Sequence, residues 1–278
     1  MENLDKLVYW ITEREKIRLA KEAGQPKPWS SDPVFQQVYF CNVNREHDRV
    51  TKFIRNFYRF NARGIKSDFE LNIALARLIN WPQSLRGLGR ILPDDFESIE
   101  ETLTGWQDAG FKVFGDAYIV STNGHAVPKA QYLCRNLLPA AHGAITAGIS
   151  AIRGPSLALA HAALMRANGL GSFLAAQIVA DLKYTKGHPL TNAGDWGSWC
   201  APGPGSIRGL AWLGMTKEDF ITKVLRVRVA LVESEQLTDE AEGWLVDLQN
   251  LQNCLCEFDK FMRVSNGTGR SKRRYPGV

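Results

Sequence analysis

The stretch HAALMRANGLGSFLAAQIVADL, residues 161–182, predicts two helices joined by a tight turn. Apolar residues recur at helical spacing on both sides of the letters Asn-Gly-Leu-Gly, and Gly169 and Gly171 permit a backbone with positive φ. The amides of Gly171 and Ser172 are expected at the start of the second helix, where free N–H groups and the helix dipole suit a phosphate. A plain helical hairpin that needs a glycine at its first helix end explains the same letters.

The rest of the chain is also helical in pattern. The segment 34–60 is expected to open extended and become helical near Arg45, and Ser67 with Glu70 forms an expected capping box. Pro155 is expected in the first turn of a helix that ends at Gly169. Helical periodicity covers residues 4–22, 67–82, 93–106, 154–169, 172–182, 216–234 and 238–264.

One short segment has a β-strand pattern instead of a helical one. Residues 116–128 combine a β-rich run with an Asn-Gly pair at 123–124, which is typical of a β-hairpin. The predicted fold class is therefore mostly α with one small β-hairpin. We expect an N-terminal helical region over 1–130, a helix-hairpin-helix region over 131–262 and a basic tail over 263–278, within one compact body.

Composition narrows the class of protein. No apolar run is long enough for a membrane span, and the N-terminus is too charged for a signal peptide, so a cytoplasmic protein is expected. The five cysteines form no CxxC pair and no ligand cluster with histidine, which favours reduced thiols and no zinc. The net charge of +5 is carried by the last residues, and the rest of the chain is balanced. Such a tail suits DNA, although a solubilising tail has the same composition.

The letters NGLGSFLAA followed by Asp195 resemble the helix-hairpin-helix of the HhH-GPD DNA glycosylases. The resemblance implies an HhH-GPD-like helical bundle with Asp195 as the catalytic aspartate. Phe173 stands where bifunctional members carry a lysine, so Schiff-base lyase chemistry is not expected. The alternative for Asp195 is that it caps a helix that begins at Trp196.

Four longer stretches resemble a narrower group. Residues 14–51, 74–82 (ALARLINWP), 203–210 (GPGSIRGL) and 256–276 are similar to the phage α-glutamyl/putrescinyl thymine pyrophosphorylases and to the helical domain of the 5-hydroxymethyluracil DNA kinases. The chain has no GxxxxGK[ST] motif, so it does not bind ATP through a P-loop. The resemblance implies an enzyme that displaces pyrophosphate from 5-pyrophosphoryloxymethyluracil in DNA with an amine, either an amino acid or putrescine.

That reaction needs cations for the leaving group, a base for the amine and contacts to DNA. Asp195 is the expected base, with Asp48 second. The expected pyrophosphate ligands are Arg45, Arg49, Arg208, Lys260 and Arg263. The expected DNA ligands are Gly169, Gly171, Ser172, Arg270, Lys272, Arg273 and Arg274. Arg45, Asp48 and Arg49 could equally form a surface ion-pair network.

The expected partners are double-stranded DNA with modified thymine, the amine donor and the cognate 5-hydroxymethyluracil DNA kinase. The expected location is the cytoplasm of the infected bacterial host. We expect a flipped base, no membrane contact and no cofactor, and the sequence indicates no metal. Two alternatives stay open. One is a monofunctional glycosylase in which Asp195 stabilises an oxocarbenium ion, and the other is a non-catalytic DNA-binding partner of the kinase.

Overall fold

A computed structural model of the chain describes residues 1–59, 66–117, 120–149 and 154–269. These residues form helices, turns and extended segments, and no strand occurs among them. The prediction of a mostly α protein is therefore confirmed. The chain forms two compact units: the first comprises Met1–Asp48 and Trp196–Val278, and the second comprises Arg49–Asp195. The division at residues 130 and 262 stays a prediction.

The first unit is built around its last helix. Leu251, Leu255 and Phe258 of that helix are fully buried, in one core with Trp10 and Ile11 of the first helix. The helices of this unit are α1 (Leu4–Glu22), α2 (Pro33–Gln37), α11 (Pro204–Trp212), α12 (Phe220–Glu233), α13 (Asp239–Leu245) and α14 (Leu248–Ser265).

Glycine explains how closely α11 packs on α14. A Cβ atom at Gly205 would overlap the Cys256 side chain, and one at Gly209 would overlap the backbone of Leu255. The two glycines, four positions apart and so on one helix face, let the two backbones touch. The glycines of GPGSIRGL therefore have a packing role that does not depend on a ligand.

Two expectations for this unit are wrong. The helix expected over 238–264 is two helices, because the Asp247 side chain accepts a hydrogen bond from Gln249 N (2.9 Å) and starts α14 afresh. The segment from residue 34 does not open extended, because Asp32 caps α2 through Val34 N (2.7 Å) and Pro33 occupies its first turn. The chain is extended at Val38 and forms a 3₁₀ turn at Arg45–His47.

The second unit packs its helices around α4 (Lys66–Ile79). Leu71, Ile73, Ala74 and Leu75 of that helix are fully buried, and α4 lies against α8 (Leu138–Ala147) and α10 (Ser172–Lys183). The helices of this unit are α3 (Arg49–Phe57), α4 (Lys66–Ile79), α5 (Pro82–Leu88), α6 (Phe96–Asp108), α7 (Lys129–Tyr132), α8 (Leu138–Ala147), α9 (Leu157–Leu164) and α10 (Ser172–Lys183). A π-helical turn at Leu133–Leu137 joins α7 to α8.

Two expected helix starts in this unit are wrong. Glu70 does not form a capping box with Ser67, because α4 already begins at Lys66 and the Glu70 carboxylate is buried against His188. Pro155 lies before α9 rather than in its first turn, since Ser156 is the N-cap and accepts from Leu159 N (3.3 Å).

The β-hairpin over 116–128 is not confirmed. His125 N donates to Thr122 O (3.0 Å), and Asn123 and Gly124 have φ of 50° and 85°, so a tight turn forms at the expected pair. No strand flanks this turn within 116–117 and 120–128, and Tyr118 and Ile119 lie outside the described residues. Throughout the described ranges, no helix combines the length and apolar character needed to cross a bilayer.

Candidate functional site

The first unit contains five of the predicted side chains, on α11, on α14 and on the segment that precedes α3. Arg208, Lys260 and Arg263 lie on α11 and α14, and Arg45 and Asp48 lie in or beside the 3₁₀ turn. Arg49, Asp195 and the 169–172 turn belong to the second unit.

Arg208 and Arg263 converge on a carboxylate that the sequence reading missed. Asp259 is 1% exposed and accepts hydrogen bonds from Arg208 Nε (3.0 Å), Arg263 Nε (3.1 Å) and Trp212 Nε1 (3.2 Å). The Arg208 side chain is 53% exposed and Arg208 Nη2 lies 2.9 Å from the same carboxylate. One buried negative charge thus fixes two partly exposed guanidinium groups, and the cluster keeps one net positive charge. The detectable signal was Asp259 four positions before Arg263 on one helix.

Lys260 lies on the other face of α14 and is more enclosed. Its Nζ contacts Glu257 Oε2 (2.6 Å), donates to Tyr39 O (2.9 Å) and lies 4.7 Å from the centre of the Phe40 ring. Glu257 also accepts from Cys41 N (3.1 Å). The charge of Lys260 is therefore neutralised by Glu257, and the pair ties α14 to the extended segment.

The segment around Asp48 is held by an arginine that the sequence reading did not single out. Arg14 of α1 donates to Phe40 O (3.2 Å) and Cys41 O (2.9 Å), and also to the Asn42 side chain. Asn42 in turn donates from its backbone N (3.2 Å) and Nδ2 (3.0 Å) to Asp48 Oδ1. Asp48 therefore closes a turn over residues 42–48.

Arg45 is too deeply buried to contact a pyrophosphate group in solvent. It is 1% exposed, and its backbone N donates to Asn250 Oδ1 (3.1 Å). A leaving group in solvent reaches this guanidinium only if neighbouring side chains move. Arg49, by contrast, is exposed at the start of α3.

Two helices joined by a turn are present around residue 169 in the second unit, but the first of them, α9, ends at Leu164 and not at Gly169 as predicted. Gly169 has φ of 88°, and Asn123 Nδ2 donates to both Gly169 O (3.0 Å) and Tyr132 Oη (2.7 Å). Gly171 does not use positive φ: it is the N-cap of α10 with φ of −74° and open space around it. Only Gly169 therefore has the positive φ for which both glycines were singled out.

The start of α10 carries Ser172 beside a histidine. His161 Nε2 lies 3.0 Å from Ser172 O and 3.2 Å from Ser172 Oγ. Burial lowers the pKa of His161, so the imidazole is neutral at pH 7 and adds no positive charge there. The predicted phosphate contact at this helix start therefore depends on amide donors and the helix dipole alone.

Asp195 caps a helix, but not the one that the sequence suggested. Its Oδ1 accepts from Leu157 N (2.9 Å), and its Oδ2 accepts from Ala158 N (3.0 Å) and Ser156 Oγ (2.9 Å). It therefore binds the start of α9, and no helix begins at Trp196. The Asp195 carboxylate therefore has a structural role at the start of α9, independent of any catalytic role.

One buried ion pair and one buried carboxylate–imidazole contact of the second unit were not predicted from the sequence. Arg77 donates to both oxygens of Asp181 (2.6 Å each), with both side chains 1% exposed. Glu70 Oε1 lies 3.1 Å from His188 Nε2, and both side chains are again 1% exposed. The stretch ALARLINWP thus contributes Arg77 to the core rather than to a surface.

The remaining predictions concern the tail, the cysteines and metals. Arg270, Lys272, Arg273 and Arg274 lie outside the described residues. All five cysteines are free thiols. Within residues 1–59, 66–117, 120–149 and 154–269, no group of three or more His, Cys, Asp or Glu side chains is arranged to hold a metal ion.

Comparison with known proteins places these features in a family. The family model described as "5-hmdU DNA kinase, helical domain" matches residues 1–271. The 5-hmdU DNA kinase of Bacillus phage SP10 is 32% identical over 126 residues, which are 42% of this chain and 20% of the kinase. This chain therefore aligns with only a small part of that relative, and no solved structure shows a significant match. Because the family model covers nearly the whole sequence, the chain belongs to the 5-hmdU DNA kinase helical-domain family.

Proposed function

We propose that the chain is a DNA base-modifying transferase of phage thymine hypermodification. It displaces pyrophosphate from 5-pyrophosphoryloxymethyluracil in DNA with the amine of an amino acid or of putrescine. Membership of a family named for a kinase of hydroxymethylated DNA supports the substrate class. The arginine pair on Asp259 is the observation that carries the reaction type, because a polyanionic leaving group needs fixed guanidinium groups.

The chemistry is a substitution at the exocyclic methylene carbon. The carbon–oxygen bond to pyrophosphate breaks and its electron pair leaves with the pyrophosphate. A carbon–nitrogen bond forms to the amine, which then loses one proton. Arg208 uses Nε and Nη2 for Asp259, and its other N–H groups can donate to the departing oxygens. Because Asp259 holds the fork in place, little reorganisation accompanies the build-up of charge.

Asp195 is the proposed proton acceptor, with Asp48 second. A carboxylate has about four acceptor positions, and Asp195 uses three of them for the start of α9. The remaining position accommodates one ammonium N–H. In the same proposal the second unit is an HhH-GPD-like fold that receives a flipped base, the 169–172 turn and the basic tail contact DNA, and the cognate kinase is a partner in the host cytoplasm.

The test is a nucleoside assay. The protein is mixed with duplex DNA that carries 5-pyrophosphoryloxymethyluracil and with a pool of amino acids and polyamines, and the digested DNA is read by mass spectrometry. The proposal expects an amine-bearing thymidine and one pyrophosphate released for each. Arg208→Ala should slow this reaction, whereas Lys217→Ala, at an exposed site of the same unit, should not. Free modified base with abasic DNA would instead identify a glycosylase.

A second candidate is a non-catalytic DNA-binding partner of the kinase. The specific observation in its favour is that Asp195 has a complete structural role as the cap of α9. The matched family is moreover a domain of a larger kinase, of which this chain covers a fifth. On this hypothesis the same assay gives bound but unchanged DNA, and Asp195→Asn leaves that binding intact.

A further inference from the structure

The first helix of the second unit and the two residues that follow it carry a run of positive charge. From Arg49 to Arg59 the sequence also contains Lys52 and Arg55, and it contains no aspartate or glutamate. When such a segment is helical, its basic side chains lie on the solvent-exposed face of the helix and make that face positively charged.

The burial pattern decides which face that is. Thr51, Ile54 and Tyr58, at helical spacing, are 2%, 1% and 2% exposed and point into the unit. Arg49 and Arg59 are exposed, and the Tyr58 hydroxyl donates to Gly89 O (3.2 Å) just after α5. The basic side of α3 therefore faces away from the core, beside the end of α5.

Aromatic rings lie among these cations. Phe53 and Phe57 are stacked, with ring centres 5.1 Å apart and planes at 18°, and the Arg86 guanidinium lies 4.9 Å from the centre of the Phe53 ring. Phe57 is 38% exposed, and Arg86 and Arg90 of the α5 end are exposed. A partly exposed phenylalanine that stacks on a ring in contact with Arg86 is poorly explained as core packing.

We infer that this surface binds an unpaired stretch of DNA, with phosphates on the arginines and a base stacked on Phe57. We call it the basic aromatic face. Its described residues are Arg49, Phe53, Phe57, Arg59, Arg86 and Arg90. The choice of DNA as partner rests on the proposed function, and the face adds which part of the chain holds the strand.

The chemistry of the face selects this ligand over an acidic protein surface. Arginine alone matches carboxylates, but a flat ring next to cations matches a strand that alternates bases and phosphates. Bases inside a duplex are stacked between their neighbours and have no open π-face, so stacking on Phe57 requires a base that has left the duplex stack. Arg49, expected from the sequence to hold pyrophosphate, is here assigned to the DNA backbone.

The test separates the two kinds of contact. Binding of labelled oligo-dT of about 16 nucleotides is compared with an abasic oligonucleotide of equal length, by fluorescence anisotropy over a salt series. Phe57→Ala should weaken oligo-dT binding about tenfold or more and leave abasic binding unchanged. Arg86→Gln/Arg90→Gln should weaken both and reduce the salt slope by about 1.4, from about 0.7 for each phosphate contact.

Controls guard against misfolding and general charge effects. Phe57→Tyr keeps the ring and should retain binding. Lys217→Gln/Lys223→Gln removes the same charge from the first unit and should change neither oligonucleotide's affinity. Equal losses in this control, or equal losses of both oligonucleotides in Phe57→Ala, would overturn the inference. The DNA is unmodified and no amine is present, so a failed transferase assay and a failed binding assay are separate results.

Discussion

The buried pair of Arg77 and Asp181 gives a prediction whose size follows from burial. Asp181→Asn keeps the shape of the side chain and removes its charge, which leaves the guanidinium in a site where both side chains are 1% exposed. Breaking a buried pair from one side costs about 3–5 kcal/mol, because the remaining charge is desolvated without a partner. We expect this loss in the free energy of unfolding of the second unit.

Replacing both partners should cost much less. In Arg77→Met/Asp181→Leu no buried charge remains, and such exchanges are often close to neutral. Arg77 also donates from Nη1 to Asn80 Oδ1 (3.1 Å) and from Nη2 to Thr51 Oγ1 (3.3 Å), and losing these two bonds costs about 2 kcal/mol. The double variant should therefore be more stable than Asp181→Asn by about 1–3 kcal/mol.

The assay is hydrogen exchange of peptides from α4 and α10, read by mass spectrometry, because the two partners lie on these helices. Glu100→Gln is the matched control. It removes an equally bidentate pair with Arg135 (2.7 and 2.8 Å), whose side chain is 63% exposed, and should have a small effect. If Asp181→Asn is as mild as this control, the reasoning from burial is wrong.

Three further predictions concern other sites. Gly169→Ala should lower stability by about 1–3 kcal/mol in thermal unfolding, because φ is 88° there, whereas Gly171→Ala, at φ of −74°, should cost about 0.5 kcal/mol. Arg208→Ala should slow pyrophosphate release about 10²–10³-fold, and an unchanged rate would remove it from the reaction. Burial raises the pKa of Cys134 to about 12, so at pH 8 thiol reagents should label the partly exposed Cys41 and Cys256 before Cys134, as peptide mass mapping would show.

Local signals in the sequence were sufficient for the helical framework. The apolar spacing of Leu4, Leu7, Trp10, Ile11 and Ile17 predicted a helix over 4–22, and α1 has those bounds. The Gly169 turn was predicted because positive φ is a property of one residue and its neighbours. Such features depend on contacts within a few positions, and a single sequence contains them.

Long-range partners explain the failures. Glu70 has the right spacing for a capping box with Ser67, but His188, 118 positions away, takes its carboxylate into the core. Asp195 has the right residue type for a helix cap, yet the helix it caps begins before it in the chain, at Leu157. No local rule gives the partner when two segments meet only in the folded chain.

For the candidate site, the sequence predicted which side chains are charged but not which of them are buried. Arg208 and Arg263 were chosen for their charge, and the structure brings them to one carboxylate, Asp259, that the sequence reading passed over. Arg45 was chosen from the same kind of block and is buried. Charge type is visible in a sequence, whereas exposure depends on how far the surrounding helices enclose the side chain.

The discontinuity of the first unit has a consequence for synthesis on the ribosome. Lys260 contacts Tyr39, 221 positions away, and Asn3 contacts Trp212, 209 positions away. At about 5–20 residues per second, α1 emerges on the order of 10–40 s before its partner helices exist. The second unit is contiguous and can fold during this interval. Meanwhile Leu7, Trp10 and Ile11, fully buried in the finished protein, face water or a chaperone. The nascent chain is therefore most open to aggregation and proteolysis at its first helix, until α14 has been made.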